Sequence, residues 1–308
     1  MFAHSAYLSF LRQKSKLMWL KDGDANTRFF HASIRMRQCH SSIHSIENLN
    51  GVIVNQPEDV ANAFVDYYKV ILGTSVSTKS VKPDIVALGP IVNENMHAAL
   101  TADFTSVDVH NAILSIAVIQ IPGPDCFGSQ FFKDAWHLVG DDVVKAVLNF
   151  FRTGKLLKEV NSTSISLIPK TYHPTHVSQF RPISCCSLLY KCITKMLCSR
   201  MKLVLPQIVS PNQSGFVANR KIVHNITVIQ DLLRQYGRKH APSAFLVKID
   251  LRKAYDTVEW KFLHEMLVAL NFPSKLIDWI MVCVTSPRFF ISLNGSLHGY
   301  FILKGKED

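Results

Sequence analysis

The scarcities of this chain narrow it before any motif does. No apolar run reaches the roughly 20 residues that span a bilayer, and Met1–Leu11 is broken by His4 and Ser5 without a small-residue cleavage pattern, so neither a membrane segment nor a signal peptide is expected. The seven cysteines show no paired spacing of a zinc site or a disulfide framework. Cys185, Cys186, Cys192 and Cys198 fall on or beside one predicted helix, and free thiols in a reducing compartment are expected. There are no internal repeats. Acid is scarce relative to base: 23 Asp and Glu stand against 34 Lys and Arg, a formal net charge of +11, which favours polyanionic partners through phosphate contact and counterion release. What is abundant is apolar surface. Hydrophobic residues make up 48% and charged residues 19% of the 308, which excludes wholesale disorder and suffices for a sizeable core in one or two domains.

Local patterns predict mixed structure. Asn50-Gly51 sits between two β-rich pieces and predicts a hairpin with a type I′ turn. Pro57 suits a first helical turn, with Val60, Phe64, Tyr68 and Ile71 sharing a face. Residues 73–92 mix Gly, Ser, Thr and Pro without period and read as a linker. Helical patterns cover about 105–118 and 130–152. Ile165, Leu167 and Ile168 form a strand ended by Pro169, and Phe180-Arg181-Pro182 a second extended piece, so Lys170 and Arg181 should stand at adjacent strand ends. The helix after Pro182 places Leu188, Leu189, Ile193, Met196, Leu197 and Leu203 on a core face and Lys191, Lys195, Arg200 and Lys202 on a basic face that can border nucleic acid. Lys275 to Val284 reads as a buried helix, and RFFISLNGSLHGYFIL as a hairpin turned at Asn294-Gly295.

The stretch AFLVKIDLRKAYDTVEW, residues 244–260, carries the sharpest chemistry. Phe245, Leu246, Val247 and Ile249 predict a short buried strand with Asp250 at its exit. A strand-end Asp is most often an N-cap or a solvated loop acid. On rigid backbone it can also hold a hard cation such as Mg²⁺, which stabilises charge in phosphoryl transfer. Two-metal sites need further acids. After Asp250 come Asp256, Glu259, Glu265, Asp278, Glu307 and Asp308, none of them an adjacent pair inside an apolar strand. Asp256 is expected to cap a helix that begins near Thr257.

KIDLRKAYDTVEW resembles the first palm motif of reverse transcriptases from LINE-like, non-LTR retrotransposons, particularly those of plants. SISLIPKTYHPTHVSQFRPISCCSLLYKCITKMLCSRM, residues 164–201, resembles the fingers motifs of that family, and QSGFVANRKIVHNI the segment leading into the palm. KSKLMWLKDGDANTRFFHASIRMRQ, residues 14–38, resembles the block that joins an upstream endonuclease to the polymerase; it carries Trp19, Phe29, Phe30 and the cations Lys14, Lys16, Arg28, Arg35 and Arg37. The resemblance implies that Asp250 binds catalytic Mg²⁺. It implies that Lys170 and Arg181 clamp the triphosphate of a dNTP and that Tyr255 selects deoxyribose. Gln213, Phe216 and Arg220 would lie near template and incoming nucleotide. Two departures stand out: Cys126 in IPGPDCF replaces the usual Gly, and Asn219 replaces the Gly before the Arg.

The fold so implied is an α/β chain: right-hand polymerase fingers and a partial palm with a mostly helical N-terminal extension. Its expected divisions are 1–72 (extension), 73–92 (linker) and 93–308 (fingers and incomplete palm). The expected function is a fragment of an RNA-directed DNA polymerase that works on an RNA template and a DNA primer. It is expected to be inactive as written, since the family's paired aspartates are absent and the charged Glu307-Asp308 tail does not replace them. The alternatives are a non-catalytic basic RNA- or DNA-binding module and a non-functional transposon relic. A nuclear or cytoplasmic location follows from the family.

Overall fold

A computed structural model describes residues 27–73, 77–235, 245–251 and 257–302. Tyr255 and Asp256, together with Lys14, Lys16, Trp19 and the Glu307-Asp308 pair, lie outside the described residues. The elements in order are α1 (Thr27–Ser41), β1 (Ile46–Glu47), β2 (Ile53–Val54), α2 (Pro57–Gly73), α3 (Pro83–Val86), α4 (Glu94–Thr101), α5 (Ser106–Leu114), α6 (Ser129–Asp134), α7 (Trp136–Thr153) and β3 (Ser162–Pro169). They continue with β4 (Phe180–Cys186), α8 (Leu188–Ile208), α9 (Ile222–Gln235), α10 (Trp260–Ala269), α11 (Ser274–Thr285), β5 (Arg288–Leu293) and β6 (Ser296–Ile302). The content is mixed helix and sheet, as expected. One sheet pairs β1 with β2, and the other has the strand order β4-β3-β5-β6.

The chain divides into two compact units. The first takes Met1–Tyr67, Ser166–Ile183 and Ile291–Gly299. Its β1–β2 register pairs Ile46 with Val54 and Glu47 with Ile53. The connecting turn is not the type I′ turn expected at Asn50-Gly51, because Gly51 alone has positive φ, at 78°. Asn48 explains the change: its carbonyl accepts from Gly51 N–H at 3.2 Å, and its side-chain Oδ1 accepts from the backbone of Asn50 at 2.9 Å and Val52 at 3.0 Å. A left-handed glycine then ends the three-residue loop. The second turn is as expected, with Asn294 at φ 49° and Gly295 at 87°, the two positive values that a type I′ turn requires. Asn294 also closes a reciprocal pair with Ile43 backbone, accepting at 2.9 Å and donating at 2.9 Å. Phe64 and Phe180 meet edge to face at 5.2 Å, and both are buried.

The second unit takes Tyr68–Ile165, Ser184–Phe290 and Tyr300–Asp308 and holds the larger core. Its centre is α8, whose buried stripe is Leu188, Cys192, Ile193, Met196, Leu197, Val204 and Ile208. Against the expectation Leu203 is 60% exposed, because the stripe passes through Val204 and Ile208 in the last turns. Phe104, Phe151 and Trp279 form an aromatic cluster, with Phe151 and Trp279 edge to face at 5.1 Å. Val109, Ile113, Val143, Val147 and Phe150 from α5 and α7 complete it. Helix α5 is tied at its start by a capping box between Thr105 and Asp108. Helix α10 begins at Trp260 with Glu259 at the cap position and no side-chain cap bond, later than the expected start near Thr257.

The largest correction concerns residues 245–251. They form no strand, and their apolar side chains lie in the open, with Val247 63% and Ile249 79% exposed. A strand requires a partner for its N–H and C=O groups and cover for its apolar face. No described residue supplies either.

Candidate nucleotide and nucleic-acid site

Within the first unit, Lys170 and Arg181 stand where the strand signals put them: Lys170 directly follows β3, and Arg181 is the second residue of β4. The Lys170 N–H donates to the Gln179 carbonyl at 2.8 Å, fixing these two strand ends side by side. The Lys170 ammonium donates to the Ser178 carbonyl at 2.8 Å, which occupies one of its three protons and leaves two for an anion. Arg181 is exposed, and its guanidinium makes no hydrogen bond or ion pair among the described residues. Side by side, a planar fork and a point charge can hold adjacent phosphate groups.

In the second unit most basic side chains thought to border nucleic acid do something else. Lys191 donates to the Ile121 carbonyl at 2.6 Å, and Lys195 to Ser115 at the end of α5 at 2.8 Å. Arg200 donates to the carbonyls of Ala102, of Leu100 at 3.3 Å and of Asp103 at 3.2 Å, and its guanidinium lies 3.5 Å from the centre of the Phe104 ring. Partial burial lowers the Arg200 pKa, with Asp108 and Asp103 opposing. Lys195 and Arg200 thus satisfy carbonyls at or just past the ends of α5 and α4, and Lys191 one in the loop between α5 and α6. Sequence periodicity sees only that they share a face.

Arg220 is committed in the same way. Its guanidinium donates to the carbonyls of Pro206 and Val209 at 2.9 Å, of Ser210 at 2.5 Å and of Gln213 at 2.8 Å. It therefore holds the loop after α8 in place, and that loop carries the other two predicted residues of the segment. Gln213 is exposed and donates to the Gly215 carbonyl at 3.3 Å. Phe216 is 87% exposed at φ 62°, a conformation that is strained for a bulky side chain. Asn219, which replaces a family Gly, has φ 65°, and Cys126 has φ 61°. Both departures thus fall at left-handed positions. In the same turn as Cys126, a Cβ on Gly123 would come within 2.5 Å of the Ser187 backbone nitrogen, so this turn packs directly on the start of α8.

Asp250 lies on the exposed 245–251 segment. Among the described residues no group of three or more His, Cys, Asp or Glu could hold a metal ion. One exposed carboxylate does not fix a hard cation that needs several oxygen ligands, so the described residues do not make up a Mg²⁺ site. Two clefts among the described residues hold none of the predicted residues: one of about 560 Å³ is lined by Val81, Asp84, Ile91, His264 and Glu265 among others, and one of about 360 Å³ by Asn48, Asp59 and Asp66 among others. All seven cysteines are free thiols. Burial pushes Cys192 and Cys283 up to about 12. No described helix is long and apolar enough to cross a membrane.

Residues 168–305 match the family model for reverse transcriptase (RNA-dependent DNA polymerase), a span that contains every predicted site residue. That stretch is similar to the reverse-transcriptase family, and the relatives the chain matches are transposon and retrotransposon proteins. It is 25% identical over 284 residues to an uncharacterized 149 kDa protein of transposon TX1 from Xenopus laevis, covering 92% of this chain and 22% of that protein. It is 23% identical over 217 residues to the retrovirus-related Pol polyprotein from the type-2 retrotransposable element R2DM of Drosophila melanogaster, covering 70% of this chain and 19% of that protein. The chain thus spans about a fifth of the length of the curated relatives it matches. Reverse transcriptases as a family use divalent metal ions, nucleic-acid template and primer, and dNTP substrates.

Proposed function

We propose that this reverse-transcriptase segment is the fingers and the start of the palm of an RNA-directed DNA polymerase, holding the incoming dNTP and the template. The observation that carries the reading is the fixed pair of strand ends at Lys170 and Arg181, where one guanidinium and two ammonium protons remain for an anion. Arg181 grips two phosphate oxygens in fork geometry, and Lys170 adds a point charge. Held in this way, the triphosphate loses translational and rotational freedom before reaction. Gln213 and Phe216 face template or base, and Arg220 positions their loop through its bonds to four carbonyls. The strain at Phe216 is the kind stored where a side chain is held for recognition. Tyr255 selects deoxyribose. Asp250 is one carboxylate of the polymerase centre.

The test is fluorescence anisotropy of a labelled RNA–DNA primer–template over a salt series. Binding that weakens steeply and linearly in log–log form is expected from phosphate contacts. Absence of binding even at low salt would overturn the reading.

A further inference from the structure

The connection between β3 and β4 presents a side chain to which the clamp assigns no task. Tyr172 is 101% exposed, in the bend over residues 170–173. A lone exposed aromatic is ordinary on a surface. This one is carried on an unusually stiff base.

Gln179 gathers that base together. Its side-chain oxygen accepts from Thr175 N–H at 2.8 Å and from His176 N–H at 3.3 Å, while its carbonyl accepts from Lys170 N–H at 2.8 Å. Lys170 closes the loop a second time through Ser178, at 2.8 Å. Glu47 ties the far leg, donating its N–H to the Thr175 carbonyl at 2.9 Å and placing its carboxylate 3.4 Å from His176. Pro174 removes a further backbone torsion. The aromatic ring is therefore held out by a loop whose two legs are pinned, and little backbone order remains to be lost when something settles on it.

The surroundings identify what settles there. From Lys170 to Arg181 the sequence KTYHPTHVSQFR contains no acid, and the nearby carboxylate of Glu47 is engaged by His176. An exposed ring on a pinned loop, within an acid-free cationic segment, suits the flat face of a base whose phosphates lie along neighbouring cations. A protein partner would call for apolar cover around the ring, whereas Lys170, Thr171, His173 and Arg181 are all exposed polar residues.

We propose that Tyr172 is a stacking platform for an unpaired base of single-stranded RNA, next to the Lys170 and Arg181 clamp. The inference rests on the reverse-transcriptase reading and adds a contact to it. Stacking is sequence-tolerant and releases no counterions, so it raises affinity without changing salt dependence.

The experiment measures anisotropy of fluorescein-labelled oligo(U) with the full chain and with Tyr172→Ala, Tyr172→Phe and Tyr172→Trp. Tyr172→Ala is expected to weaken binding roughly tenfold at every salt concentration, leaving the slope of log K against log salt unchanged. Tyr172→Phe and Tyr172→Trp should bind as the parent does, and matching urea midpoints establish that all four chains fold alike. If Tyr172→Ala binds oligo(U) as tightly as the parent, the stacking role is overturned while the family reading stands. If the parent binds neither oligo(U) nor primer–template, both fall together.

Discussion

Three stretches of this chain read as strands with a charged residue at one end, and only two of them are built. Residues 162–169 and 180–186 form β3 and β4, which fix Lys170 and Arg181 at adjoining ends. Residues 245–251 carry an equally apolar signal, with Phe245, Val247, Ile249 and Leu251 alternating against Leu246, Lys248 and Asp250, yet they remain unpaired and exposed. The difference lies in the neighbours and not in the residues. β3 has β4 on one side and β5 on the other, and Phe180 has Phe64 to pack on. Helix α9 repeats the lesson, because Ile222, Ile226, Ile229 and Leu233 are all exposed along one face. An amphipathic pattern states which face is to be covered and leaves open what covers it.

Hydrogen exchange tests this contrast with the largest expected effect. Amides inside β3 and β4 should be protected roughly a thousandfold or more over those of 245–251. Equal protection would mean that 245–251 is paired after all.

Thiol labelling compares buried with open positions. Cys192 and Cys283, held near pKa 12 by burial, should react with a thiolate-selective reagent at mild alkaline pH on the order of a thousandfold more slowly than exposed Cys39, Cys126 and Cys198. Because their folded pKa exceeds the ordinary 9.0, the stability they contribute is present below pH 9 and is lost as pH rises toward 12. A urea midpoint that does not fall over that interval would contradict this assignment.

Arg220→Ala should cost about 3 kcal/mol in urea denaturation, because it leaves several carbonyls at the end of α8 without a donor. Arg220→Lys should recover little of the loss, since a single ammonium cannot reach them all. Loss of RNA binding with unchanged stability would instead place the guanidinium at the ligand. The smallest effect is expected at Cys126, where φ is 61°: Cys126→Gly should stabilise the chain by about 1 kcal/mol through relief of left-handed strain. Unchanged or lower stability would show that the turn gains more from the thiol than it loses to strain.

Much of this was legible in the residues. The α7, α8 and α11 helices, the β5–β6 hairpin and its Asn294-Gly295 turn follow from local pattern, because each carries its own cap, period or turn chemistry. The adjoining Lys170 and Arg181 followed from Pro169 ending one strand and Phe180 starting the next. The tasks of Lys191, Lys195, Arg200 and Arg220 could not be read in this way. Each bonds carbonyls far away in sequence or around a loop, and a basic face shows charge without showing which backbone groups will need it. The type I′ expectation at Asn50-Gly51 failed for a related reason: the Asn48 side chain, outside the dipeptide, chose another turn.

The central claim is that the ends of β3 and β4 grip a nucleotide triphosphate, and photocrosslinking with an azido-dATP, mapped by peptide mass spectrometry, tests it most directly. Crosslinks within residues 162–186 that are competed by dATP and lost in the Lys170→Ala, Arg181→Ala double variant are the predicted result. Crosslinks that persist in that folded variant, or that map only to other segments, would contradict it.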